Sequence, residues 1–175
     1  MFRYFYLALA IAALPLPATA ASPYADQTAR SIKSLSDDEI ADYLSGKGMG
    51  LAKAAELNGY PGPAHVLELA DQLALSPIQK EQTQALFERM QSQAKSVGKR
   101  LVDEENKLDQ LFASKNISVA LLHQALASIA SLQAEVREIH LQAHLDEAQL
   151  LSEAQTMKYW HLRGYGGSAG HTHGR

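Results

Sequence analysis

A short pattern, Leu-Ser-x-x-Gln, occurs twice, as Leu75-Ser76-Pro77-Ile78-Gln79 and Leu151-Ser152-Glu153-Ala154-Gln155. Each copy reads as a helix start, in which the Ser hydroxyl accepts from an orphaned backbone N–H and the Gln reaches back to the Ser N–H. Pro77 falls at the first helical position, where its missing N–H costs nothing. Between the copies run two apolar stripes, Leu86, Met90, Ala94, Val97, Leu101, Leu108, Leu111 and then Leu122, Leu126, Ile129, Leu132, Val136, Ile139, Ala143. Their three-and-four spacing is that of a helix with one buried face. Ser114-Lys115-Asn116 is a tight turn between them, and Asn116-Ile117-Ser118 caps the second helix rather than serving as a glycosylation acceptor.

The expected fold is therefore all-α: a long antiparallel helical hairpin, Pro77 to about Phe112 and Ser118 to about Leu150, packed along a coiled-coil-like seam. Each arm is roughly 50 Å long at 1.5 Å per residue. Folding about residues 115–116 brings Gln79 level with Leu151, so both capped starts meet at the open end. A final helix runs from Glu153 to about Arg163 and stops at Gly164. Upstream, Ser36-Asp37-Asp38-Glu39 is another capping box, opening a short helix that Gly46, Gly48 and Gly50 break. Leu51 to Leu57 and Ala64 to Leu73 are further short helices, separated by Asn58-Gly59 and the Pro61-Gly62-Pro63 corner.

The first twenty residues read as an export signal: Arg3, the apolar run Leu7 to Leu16, and a small-x-small cleavage site at Ala18-Thr19-Ala20. The expectation is export to the periplasm without stable membrane insertion, since no second apolar run of that length is evident. Residues 21–35 read as a flexible lead-in, 36–164 as the helical domain, and 165–175 as a disordered Gly- and His-containing tail. The chain has no cysteine, which excludes disulfides, thiolate chemistry and Cys-based metal sites. Sixteen Lys and Arg stand against 19 Asp and Glu, and loss of the signal removes only Arg3, leaving a net charge of −4. Scattered, mildly acidic charge excludes a nucleic-acid partner. No nucleophile elbow, Walker loop or His-Glu-x-x-His is present, so no enzyme is expected. The alternating glycines follow no strand, which excludes a dinucleotide cradle.

The histidines carry the sharper chemistry. His140 and His144 are four apart, on one helix face, at ligand spacing for a d-block ion. Both fall at the edge of the buried stripe, where partial exposure is expected. Across the hairpin they come level with Phe87 to Gln91, and Met90 points into the seam as a soft donor. Glu88 is at the same height, but its phase turns it to the opposite side of the arm. His65 and Glu68, a turn apart, reach this end by a fold-back. His171 and His173 in the tail offer weak binding without fixed geometry, and His161 beside Trp160 reads as packing. Alternatively, both histidines of the long arm are ordinary half-buried residues.

A hairpin of this length cannot cover its own seam. The short helices reach only the open end, so the half around Leu101 to Leu126 is expected to pair with a second copy or stay partly exposed.

A signal peptide, a cysteine-free helical chain and two Leu-Ser-x-x-Gln motifs flanking a long hairpin resemble the Spy/CpxP-like periplasmic family, with its Leu-[Ser/Thr]-x-x-Gln motifs. The related periplasmic heavy-metal resistance and sensor proteins share these features. The resemblance spans roughly Leu57 to Arg163 and implies a hooked four-helix arrangement that dimerises into a cradle. It implies an envelope-stress function: ATP-independent chaperone-like binding of unfolded clients, or damping of a two-component sensor domain, with no required cofactor. The alternative it implies is heavy-metal resistance or sensing through Zn, Cu, Ni or Co, with His65, Glu88, His140 and His144 at the ligand positions.

Overall fold

The computed structural model describes residues 22–165. The expected signal peptide, and the tail beyond Tyr165, lie outside the described residues. Six α-helices follow a 3-10 turn at Ala25–Ala29: α1 Asp37–Ser45, α2 Lys53–Glu56, α3 Pro63–Glu68, α4 Pro77–Ala113, α5 Val119–Leu150 and α6 Glu153–Leu162. There is no strand among the described residues, only one isolated bridge between Ile32 and Leu35. The chain is thus predominantly helical, built on a long central pair.

Contacts between α4 and α5 climb one helix as they descend the other: Thr83 with Glu147, Arg89 with Asp146, Arg100 with Glu135. The two helices bury Val97, Leu101, Ile129, Leu132 and Val136 in one cluster and Leu86, Met90 and Ala143 in another. These are the residues of the two sequence stripes. The stripes fade toward the turn, where Phe112 is 53% exposed, Val119 71% and Leu126 47%.

Both Leu-Ser-x-x-Gln copies form complete capping boxes, and the two boxes are joined. Gln79 Nε2 donates to Gln155 Oε1 at 2.9 Å, and Gln155 Nε2 donates back to Gln79 Oε1 at 3.1 Å. Gln79 also donates to the Leu150 carbonyl at 2.8 Å, which would otherwise be an orphan at the end of α5. Leu151 is buried with Val66, Leu73 and Tyr159, and Leu75 packs against them. The recurring Leu therefore seals the junction that the recurring Gln ties.

Three expectations need correction. Residues 32–35, the end of the expected free lead-in, are docked: Ile32 and Leu35 are buried, Ser34 Oγ donates to Glu105 at 2.8 Å, and the Lys33 N–H donates to Asp109 at 3.1 Å. The flanking elements also reach well beyond the open end. Helix α1 packs along α4 so closely that a Cβ on Gly98 would collide with the Tyr43 carbonyl, and Tyr43 covers the Val97–Leu101 cluster. Leu101 is thereby fully buried. The uncovered part of the pair shrinks to the segment around Phe112 to Leu126. The expectation of no second long apolar run also fails. Helix α5 is long and apolar enough to cross a membrane, with a mean hydropathy of 1.2 over one eighteen-residue window. Only 22% of that window is buried, so much of it remains uncovered.

Candidate functional site

The Gly46–Lys53 loop, α2, α3, the first half of α4 and the last third of α5 line an open cavity of about 670 Å³, within the usual range of ligand pockets. His65, His140 and His144 all line it, with Glu56, Phe87 and Met90. The fold-back inferred for His65 thus brings three of the four expected site residues to one place. Glu88 is not among the lining residues. It is exposed, and its Oε1 accepts from Gln84 Nε2 at 2.7 Å. The phase read from its position holds, and the ligand role implied by the resemblance gains no geometry.

His140 and His144 are not partly accessible as expected, but buried, at 3% and 9% exposure. The reason is cover that helical phase alone does not reveal. Gly48 lies against His140, and Gly62 passes so close to the His144 ring that a Cβ there would come within 2.8 Å. His144 Nδ1 is 2.8 Å from the Tyr60 carbonyl, which makes Nδ1 the donor to that oxygen. His140 Nε2 is buried without a hydrogen-bond partner. Burial, with a smaller contribution from His144, lowers the His140 pKa and keeps its imidazole neutral. His65 is half-buried, its Nδ1 3.1 Å from Glu68 Oε2.

Neutral imidazoles are the form that ligates metal. Among the described residues, however, no group of three His, Asp or Glu side chains stands close enough to hold an ion.

Two carboxylates escaped the sequence reading. Glu56 Oε1 accepts from Tyr159 Oη at 2.7 Å, Tyr165 Oη at 3.0 Å and Arg163 Nε at 3.3 Å. Its Oε2 lies 3.7 Å from His144 Nδ1. Burial, reinforced by the Glu56 carboxylate, raises the Tyr159 phenol well above its ordinary pKa. The three donors to Glu56 Oε1 lie more than a hundred positions away, and no local pattern announces them. Glu147 is fully buried in the central seam. Its Oε1 accepts from Thr83 Oγ1 at 2.9 Å, and its Oε2 has no partner. A signal existed here, because one further helical step beyond Ala143 in the second stripe lands on Glu147.

On the opposite side of the central pair, a groove of about 520 Å³ has Leu86, Val97, Ile139 and Ala143 on its floor. The ion pairs Arg89–Asp146 and Arg100–Glu135 bridge the two helices along it.

Comparison with models of known protein families, with curated proteins and with solved structures returns no match.

Proposed function

We propose that this chain is an exported envelope-stress protein, without enzymatic activity, that works by holding non-native chains or a sensor domain on apolar helical surface. In this reading α4 and α5 form the hairpin of a hooked arrangement, and two copies pair into a cradle. The observation that carries it is the uncovered apolar end of the central pair, where Phe112, Val119, Leu121 and Leu126 are all exposed. Exposed apolar groups gathered in one region mark interaction surfaces. The absence of a catalytic constellation in the sequence agrees with a binding role.

The test is suppression of light scattering by a heat-unfolded client enzyme, in chelator and without nucleotide. The wild-type chain is expected to suppress aggregation at stoichiometric ratios. The Phe112→Ser/Leu126→Ser variant should lose most of that effect, and His140→Ala/His144→Ala should retain it. A wild-type chain without effect, or a Phe112/Leu126 variant as effective as the wild type, refutes the reading.

A second reading, metal binding in the cavity, is favoured by the convergence of three imidazoles and the Met90 thioether on one wall system. His140 and His144 would be the donors, and the ion would supply a positive charge facing the Glu56 carboxylate. Titration calorimetry with zinc, copper(II), nickel and cobalt tests it on a chain ending at Tyr165, which removes His171 and His173 and keeps the cavity wall intact. A stoichiometric micromolar site abolished by His140→Ala/His144→Ala supports it, and heats unchanged by that substitution refute it.

A further inference from the structure

Two of the three residues that end the described chain form part of the cavity wall. Arg163 and Tyr165 both line it, and both donate to one carboxylate oxygen, Glu56 Oε1. The third donor to that oxygen is of a different kind. Tyr159 is 1% exposed and belongs to the core cluster with Val66, Leu73 and Leu151. Its phenol fixes Glu56 from the inside, whereas Arg163 and Tyr165 reach it from a turn beyond the helix end. That turn is made by Gly164 at a φ of 79°, in the left-handed region that glycine favours. The Tyr165 N–H returns to the Trp160 carbonyl at 3.1 Å, and the Tyr165 ring lies 4.9 Å from the Trp160 ring. Neither Arg163 nor Tyr165 carries core packing, so both can leave Glu56 without disturbing the buried cluster.

We propose that Arg163–Tyr165 is a strap closing one side of the histidine cavity, and that Glu56 is its catch. In the closed state Oε1 holds the strap while Oε2 faces His144, so one carboxylate joins the strap to the cavity interior. Opening separates two hydrogen bonds and the Trp160–Tyr165 contact. It leaves Tyr159 on Glu56, α2 in place, and the cavity open toward the imidazoles. The strap is independent of whether the cavity holds an ion.

The experiment is site-resolved carbethoxylation of the histidines by diethyl pyrocarbonate, read by mass spectrometry on the full exported chain. It is run alongside the emission of Trp160, the one tryptophan. In the wild type, His140 and His144 are expected to react far more slowly than the exposed His123. In Arg163→Gln/Tyr165→Phe their rates should rise about tenfold, the opening expected on losing a charge-assisted hydrogen bond, with a red shift of Trp160. His123, outside the cavity, should be unchanged. Glu56→Gln should show the same pattern, and if it does not fold, the double variant carries the test alone. Unchanged His140 and His144 rates in the double variant overturn the proposal. So does a uniform rise at every histidine, which would mean global unfolding.

Discussion

Replacing Glu147 by Gln should stabilise the protein at alkaline pH and leave it almost unaffected at acid pH. Glu147 is fully buried in the central seam, with the Thr83 hydroxyl on one oxygen, nothing on the other and no cation beside it. Burial raises its pKa from 4.5 to about 7, an effect the Thr83 hydrogen bond only partly offsets. The folded state therefore holds the proton in a pH range where the unfolded state has released it. Below pH 4.5 both states are protonated and no penalty exists. As pH rises toward 7 the unfolded state is increasingly favoured, and above 7 the loss is constant. Such a shift corresponds to about 3 kcal/mol. For a chain of this size that is a change in Tm on the order of 8 °C.

Glutamine keeps the acceptor for Thr83 and places an amide where the unpaired oxygen stood. Any packing or hydrogen-bond cost of that amide is the same at every pH. The quantity to measure is the difference in Tm between variant and wild type at pH 8, less the same difference at pH 4.5, by circular dichroism melts. A positive value of several degrees is expected. A value near zero, or a variant that loses more stability at pH 8 than at pH 4.5, would refute the argument that Glu147 is forced to ionise inside the seam.

Gln79→Ala and Gln155→Ala should each destabilise by about 2 kcal/mol, because each amide serves its own cap and the other's. The double variant should cost at least about 1 kcal/mol less than the sum in urea unfolding, and strict additivity would mean the two boxes are independent. Gly98→Ala gains helix propensity yet should lower stability by about 2 kcal/mol through overpacking, since the new methyl meets the Tyr43 carbonyl. Differential scanning calorimetry checks it, and a Tm equal to or above the wild type would show that α1 moves aside freely.

The parts of this fold that were legible in the sequence depend on local rules. Ser36, Ser76 and Ser152 cap helices where the capping-box pattern put them, and the long helices end within a residue or two of the expected positions. The stripes from Leu86 to Leu101 and from Ile129 to Ala143 are buried along most of their length. What escaped depends on which surfaces meet. The burial of His140 and His144 is set by Gly48, Tyr60 and Gly62, which arrive from loops 80 or more positions upstream. The docking of residues 32–35 rests on Ser34 and Lys33 meeting Glu105 and Asp109, and a polar, aperiodic segment gives no sign of its partner. Glu56 collects donors from α6 and the turn after it, more than a hundred positions away. The gathering of His65, His140 and His144 was legible because it follows from folding at one turn and one corner.

The joined glutamines also have a kinetic meaning. Gln79 and Gln155 are 76 positions apart in the chain, so an encounter between them in a disordered chain would carry the full entropy of closing that loop. Zippering of α4 against α5 outward from the Ser114–Ser118 turn removes most of that cost, because each contact brings the next pair into reach. The glutamine pair is then among the last contacts made on the way in. A contact absent from the folding transition state acts on the rate of leaving the native state rather than of reaching it. The repeated motif is thus expected to act as a brake on unfolding, in a chain whose sequence provides no covalent cross-link to do so.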